Sequence, residues 1–313
     1  MTPPSQVDVV GVGLNATDTL ILVPHYPALG SKVEFHSANI LPGGQVATAI
    51  AACQQWGLRT RYAGKVGDDG AAVIHRKEFD RLGVEAHLVT APGCASQQAV
   101  ILVDDAGERT VLWKRDNRLT MLPEELRREW ITNARALHLD GHDTAAAVTA
   151  AGWARDAGIP VIADLDDLYP GVEQLLGKID YLITSRDIPG RLTGESDLRK
   201  SLPAVRSRYG CRLTAATLGH EGVLAWDGSQ FHYAPAFRVH PLDTTGAGDI
   251  FHAGFIYGLL QDWPLPRQLD FACAAAALNC TAAGARGGIQ SVENIERLIT
   301  TGPRHLSAFD LSK

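Results

Sequence analysis

The sequence lacks the features that would make it a disulfide scaffold, a membrane span or a nucleic-acid binder. Its five cysteines, Cys53, Cys94, Cys211, Cys273 and Cys280, are scattered over 313 residues and none forms a C-x-x-C pair. A dense disulfide framework is therefore excluded, and the thiols are expected to be reduced and buried. Cys273 and Cys280 fall on one face of an expected helix, but two turns is about 10 Å of rise, too far for a bond within it. No apolar run is long enough to cross a bilayer. The opening MTPPSQVDVV shows no basic segment leading into an apolar one, so a cytoplasmic location is expected. Positive charge is also short: 29 Lys and Arg face 35 Asp and Glu, giving a net charge of −6. Nothing there attracts nucleic acid or an anionic membrane, and small soluble molecules are the expected partners. Internal repeats and low-complexity linkers are absent.

What is present is hydrophobic sequence in short, regular pieces. With 45% hydrophobic residues the chain can build one large α/β domain or two smaller ones. Apolar strand-like runs recur at Val7 to Gly13, Thr60 to Gly64, Ala136 to Asp140, Pro160 to Asp164, Tyr181 to Thr184 and Thr214 to Leu218. Helical patterns lie between most of them, at Val46 to Trp56, Ala71 to Leu82, Thr144 to Ala157 and Leu198 to Tyr209. This alternation predicts an α/β fold, a mostly parallel, doubly wound sheet with helices on both faces. Two stretches break it. Residues 18–40 combine Thr-Leu-Ile-Leu-Val, a proline interruption and an alternating Lys32 to Ser37, while residues 97–116 read as strand, Asp104-Asp105-Ala-Gly turn, strand. Paired together, they would form a small lid over the carboxyl edge of the main sheet.

The most informative segment is DTTGAGDIFHAG at 243–254, where the strand-like Phe237 to Val239 gives way to an apolar helix, Ile250 to Leu260. Gly246 and Gly248 let backbone approach an anion, and the first N–H groups of the helix lack internal partners. Asp249 places a proton acceptor beside that anion cradle, and the pair points to phosphoryl transfer. No Lys-Ser or Lys-Thr follows the glycines, so this is not the phosphate loop of nucleoside triphosphatases. A dinucleotide reading starts from Gly11-Val-Gly13-Leu-Asn-Ala16 after the first strand. It is disfavoured because Thr17-Asp-Thr-Leu-Ile-Leu-Val favours a strand where a helix is required.

The 243–254 segment resembles the second signature of the ribokinase or PfkB family of sugar and nucleoside kinases, DTxGAGD, with Phe251 and Gly254 also matching. Pro42-Gly43-Gly44-Gln45-Val46-Ala47-Thr48-Ala49 is similar to the first signature, and motifs from Val9 to Gly288 follow the family's order. The resemblance implies one ribokinase-like domain over 1–313 and an ATP-dependent carbohydrate kinase. It also implies Mg2+ on the ATP phosphates, K+ in some relatives, and a homodimer formed through the lid. By resemblance Asp249 is the base, with Gly246, Ala247 and Gly248 as anion hole. Asp18, Gly43, Gly44 and Thr48 are substrate contacts, although Thr48 stands where many members have asparagine. Thr217, Gly219 and Gly222 lie along the nucleotide, Asn279 and Gly284 near adenine, and Asp243 and Thr245 near a monovalent cation. The family's N-x-x-E motif is altered: Ser185 and Ile188 replace its key residues, with Asp187 as a neighbouring carboxylate to support Mg2+.

Asp140 and His142 end a strand at the sheet edge where ligands of open α/β folds bind, and are candidate substrate contacts. Asp164 and Asp166 are placed similarly, for polar support around phosphates. An anionic acceptor would find Lys32, Arg109, Lys114, Arg115 and Arg118 in or near the lid, or these form a solvated charged face. The G-G-x-x-A-T-A, G-E-R and D-T-T-G-A-G-D-x-F-H patterns also resemble the sulfofructose kinase branch, with ketohexokinase-like enzymes beside it. No arginine stands at the Asp140 to His142 strand end, where a sulfonate clamp is expected. A non-catalytic sugar or nucleotide binder, a nucleoside kinase and a nicotinamide oxidoreductase remain the rival readings.

Overall fold

The computed structural model describes residues 6–307 and 309, so the first residues of MTPPSQVDVV and the C-terminal end of the 1–313 domain lie outside the described residues. Thirteen strands are present among them: β1 Val7–Val12, β2 Ala16–Leu22, β3 Ser37–Gly43, β4 Thr60–Val66, β5 Glu85–Thr90, β6 Gln98–Val103, β7 Arg109–Lys114, β8 Ala134–Leu139, β9 Val161–Leu165, β10 Tyr181–Ser185, β11 Leu213–Thr217, β12 Val223–Trp226 and β13 Phe231–Ala234. The helices are α1 Gln45–Gln55, α2 Gly70–Leu82, α3 Arg128–Thr132, α4 Thr144–Asp156, α5 Glu173–Leu176, α6 Ile188–Thr193, α7 Leu198–Tyr209, α8 Ala247–Leu260, α9 Leu265–Asn279 and α10 Val292–Thr301.

Nine strands form one sheet in the order β13-β12-β11-β10-β9-β8-β1-β4-β5, parallel except for the β11–β12 and β12–β13 pairings. The apolar runs of β1, β8 and β9 are buried on both faces, as a helix-covered parallel sheet requires. Val9 faces a core shared with α1, α8 and α9, whereas Val10 and Val12 face the alanine stripe of α4, Ala146, Ala147, Ala150, Ala151 and Ala154. Helix boundaries follow local chemistry. Asp69 accepts the Ala72 N–H at the start of α2, and Gly83 closes that helix in the left-handed conformation.

The chain leaves β1 toward β4 and β5 on one side and continues from β8 toward β11 on the other. The crevice between the ends of β1 and β8 is therefore the switch point of the sheet. Above it lies the lid, a four-stranded sheet in the order β3-β2-β6-β7, in which the two predicted excursions pair through parallel strands β2 and β6. Two details differ from expectation. The alternating residues 32–36 are irregular, and the strand runs from Ser37 into the glycine pair because Leu22 pairs with Ser37 and Ala16 with Gly43. Phe237 makes an isolated bridge to Arg304 rather than leading a strand into α8. Edge strand β5 and the β12–β13 hairpin were not anticipated.

Candidate functional site

Register fixes what the lid shows to each side. Leu41, Asp18, Ala99 and Trp113 form one row across the four strands, and Ile40, Thr19, Val100 and Leu112 form the adjacent row on the other face. Asp18 is buried with Leu20, Ala99 and Ile101, so its face is turned to the body of the protein. Gly43 is required there, because any Cβ would overlap the Asp18 carboxylate.

Helix α8 begins at Gly246, whose φ of 77° is left-handed and whose missing Cβ leaves room for the Ala285 carbonyl. It has no side-chain cap. Ala247 N–H donates to the Thr244 carbonyl at 3.3 Å, while the N–H groups of Gly248 and Asp249 find no acceptor among the described residues. Gly248 faces open space. Of the residues expected at an anion hole, Gly248 keeps an unpaired N–H, Ala247 N–H is engaged by Thr244, and Asp249 adds a donor.

Next to this helix end lies a cavity of about 330 Å³ lined mostly by apolar groups, among them Thr217, Gly219, Gly222, Phe251, Ala277 and Cys280. Thr244, Ala247 and Gly248 line it too, so an aromatic base in the cavity would direct attached phosphates at α8. Three residues expected near the nucleotide do not line it. Asn279 is fully buried and acts as a clamp: its amide donates to the Thr245 and Ala285 carbonyls at 3.3 and 3.1 Å, and its carbonyl accepts Gly288 N–H at 3.2 Å. All its polar groups are engaged by backbone, which leaves none for adenine. Gly284 donates to Asp243, and Ser185 ends β10 away from the cavity. Asp243 also accepts Thr245 N–H at 2.8 Å, so its carboxylate ties the 243–249 loop to the 280–288 loop.

Other expected contacts have internal partners. Asp140 accepts from Leu14 N–H at 2.6 Å and His142 N–H at 3.0 Å, holding the turn after β1 rather than facing a ligand. His142 accepts from Arg115 through Nδ1 at 2.7 Å, and Arg115 grips both Asp143 oxygens at 2.8 Å. Asp187 is exposed and paired with Arg191, which also holds Asp167. Asp164 is buried against His252 Nδ1 at 3.3 Å, and that nitrogen also faces the Gly248 carbonyl in the first turn of α8. Asp166 is exposed and accepts from the Tyr169 hydroxyl.

Two residues gain roles that the sequence did not give them. Arg109, on the inner-facing side of β7, reaches 2.8 Å to Thr244 Oγ1 and so links lid to anion loop. Arg286 passes between the lid and the body. Its Nε donates to Thr48 Oγ1 at 3.2 Å, its Nη2 to the Gly43 carbonyl at 3.0 Å, and it lies over the Phe79 ring at 5.7 Å. The contact from Arg286 is what Thr48 offers its hydroxyl to. An arginine between glycines in the 284–288 loop was the available signal.

The electrostatics suit proton transfer. Burial pushes Asp249 up to about 7, with the charges of Asp166 and Asp18 adding and those of Arg109 and Arg286 opposing. Burial also lifts Asp18 to about 7, against the Arg286 charge and with Asp243 adding. A carboxylate at the head of an anion-binding helix, with an affinity for protons near neutrality, is matched to taking a proton from an alcohol.

The pfkB family carbohydrate kinase profile matches residues 8–291. The chain is 32% identical to ATP-dependent ribose-1-phosphate kinase of Halopiger xanaduensis over 289 residues, covering 90% of this chain and 94% of the other. It is 25% identical to Bacillus subtilis ribokinase, over 92% and 98% of the two chains. The structure of Arabidopsis thaliana ribokinase complexed with ribose and ATP aligns with a TM-score of 0.79 at 24% identity, over 95% of this chain and 99% of that one, so the fold is shared. With a matching profile over nearly all of the chain, an α8 that starts at GAGD and a four-stranded lid above the sheet edge, the protein belongs to the pfkB family of carbohydrate kinases.

Proposed function

We propose that this protein transfers the γ-phosphoryl group of ATP to a hydroxyl of a small sugar, with Asp249 as the base. The observation that carries the reading is the position of Asp249 in the first turn of an uncapped helix that borders the 330 Å³ cavity. The sugar lies beside Asp18, whose carboxylate packs against Gly43 and can accept from hydroxyls. Asp249 takes the proton from the attacking hydroxyl while the free N–H groups of Gly248 and Asp249 face the transferring group. Arg109, held at Thr244 beside that helix end, brings a lid charge to the phosphates and couples lid position to the nucleotide.

No group of three or more His, Cys, Asp or Glu among the described residues makes a metal cage. Mg2+ therefore fits as an ion carried by ATP phosphates and water, neutralising phosphate charge when bound. A monovalent cation such as K+ fits near Thr245, whose buried Oγ1 has no hydrogen-bond partner among the described residues, with the Asp243 carboxylate beside it. The lid's outer row of exposed Ile40, Val100 and Leu112 favours a homodimer formed lid to lid. Asp249 with its helix N-terminus favours catalysis over a non-catalytic sugar or nucleotide binder, despite the altered Ser185 to Ile188 segment. No helix among the described residues is long and apolar enough to cross a membrane.

The test is ADP release with Mg-ATP over ketoses, aldoses, sugar acids, phosphosugars and nucleosides, run beside Asp249→Asn. Turnover on one class is expected, and the variant should lose about 10²–10⁴-fold in kcat while still binding ATP. Full activity in the variant removes Asp249 as the base. Silence across the panel with measurable ATP binding favours the non-catalytic reading.

A further inference from the structure

Arg286 holds an incomplete set of hydrogen bonds. Its Nε and Nη2 are engaged by Thr48 and the Gly43 carbonyl, but Nη1 is shut off from solvent and has no acceptor among the described residues. A guanidinium nitrogen dehydrated without a partner is costly, and such a group in a native fold calls for an oxygen that the chain itself does not supply. The same place offers a second one. His75 lies one turn before Phe79 on the buried face of α2, and Phe79 is the ring beneath Arg286. His75 Nε2 faces Thr17 Oγ1 at 3.1 Å, and its Nδ1 is buried and unpartnered. Burial, with the Arg286 charge adding, keeps this histidine neutral, pushed down to about 3. The Thr17 hydroxyl can serve Nε2 as donor or acceptor, and Nδ1 is a second buried polar atom without a partner among the described residues.

The cations that the sequence offered for an anionic acceptor are placed elsewhere. Arg109 reaches Thr244, Arg115 is held by Asp143, Arg118 is chelated by Asp116, and Lys32 and Lys114 are exposed on the lid. Arg286 instead bonds the Gly43 carbonyl and Thr48 Oγ1 and lies within electrostatic reach of Glu78, Asp18 and Asp249. Its planar fork suits an oxyanion.

We propose that the acceptor is a sugar bearing an oxyanion substituent, phosphate or carboxylate, and that Arg286 is the residue that selects it through its unpartnered Nη1. This rests on the sugar-kinase reading and names the substrate class within it. Asp18 then holds neutral hydroxyls and Asp249 faces the attacking one, while the charged end of the sugar points to the 284–288 loop. Thr48 in place of an amide follows from this arrangement: its hydroxyl accepts from Nε and sets the plane of the guanidinium.

The experiment compares matched acceptors, neutral against anionic, with saturating Mg-ATP: ribose with its 1- and 5-phosphates, fructose with its phosphates, glucose with gluconate. The wild type is expected to favour an anionic member by about 30–100-fold in kcat/KM, the worth of a charged hydrogen-bonded contact. Arg286→Gln should collapse that ratio through the KM of the anionic acceptor, with the KM for ATP held within about two-fold, and Arg286→Lys should recover part of it. Whether phosphate or carboxylate is the better arm identifies the oxyanion. A wild-type preference for neutral sugars overturns the proposal without any variant, and so does an Arg286→Gln enzyme that loses neutral and anionic turnover equally. Absence of turnover on every sugar, with ATP bound, overturns the kinase reading and this proposal with it, an outcome distinct from active enzyme with the wrong preference.

Discussion

At the residue scale, the proposed chemistry turns on two carboxylates whose proton affinities burial has raised to about 7. Asp249 as base has to be ionised, so kcat/KM should climb as pH rises through about 7 and level off above it. The limb should be missing from the residual activity of Asp249→Asn. For stability the sign is the reverse of the usual aspartate. The folded-state value of Asp18 lies above its unfolded value of 3.8, so the native state holds a proton that the unfolded chain has released between about pH 4 and 7. Native stability falls across that window, and above pH 7 the buried charge is a standing cost. Asp18→Asn should therefore melt higher than wild type at pH 8, by about 1–3 kcal/mol in stability, with the gap closing below pH 5. Turnover should collapse in the same variant. Thermal denaturation against pH checks this, and a variant less stable than wild type at pH 8 would show that Asp18 is a stabilising partner of Arg286. Asp249 stood out in the sequence because the motif that suggests its role is contiguous. Arg286 was not, since its partners Gly43 and Thr48 are more than 200 positions earlier and only folding brings them together. Asn279 misled for the same reason: an amide near the adenine-side helix reads as a ligand contact until its three backbone partners are seen.

At the scale of elements, inner parallel strands such as β1, β8 and β9 were readable because each is an apolar run buried on both faces, a pattern that does not depend on distant partners, whereas the half-buried edge strand β5 was not. The lid was readable as two excursions, but not its register. Residues 32–36 alternate as a strand does, yet β2 pairs farther along, from Ser37 to Gly43. That shift has a structural consequence, for it makes Gly43 the last residue of β3, two positions beyond Leu41 on the Asp18 face of the lid. Gly43→Ala should force the Asp18 carboxylate out of place, since a Cβ there overlaps it. The expected result is an acceptor KM raised about ten-fold or more with the KM for ATP little changed, because the cavity proposed for the nucleotide draws nothing from β3. Steady-state kinetics with each substrate varied in turn would decide; a rise confined to ATP would mean that this turn serves the nucleotide instead.

At the scale of the molecule, the lid has one face on the site and one on solvent. The outer face carries Ile40, Val100 and Leu112 in a row, with Leu112 59% and Ile40 62% exposed. A sheet face exposing three large apolar side chains in one row is unusual on a monomer, and two copies related by a two-fold axis would cover one another's rows. The same sheet carries Asp18 and Arg109 on its other side, so a partner that stiffens it also steadies the acceptor site. Leu112→Glu should therefore act in two places: it should convert a dimer into a monomer, and it should raise the acceptor KM even though the residue faces away from the sugar. Sedimentation equilibrium at micromolar concentration, followed by kinetics at the same concentration, separates the two effects. A wild-type chain that sediments as a monomer would leave the outer row without a second copy to cover it, and an unaltered KM in a monomeric variant would mean that the lid keeps its shape from β2–β6 pairing and the Arg109 to Thr244 contact alone.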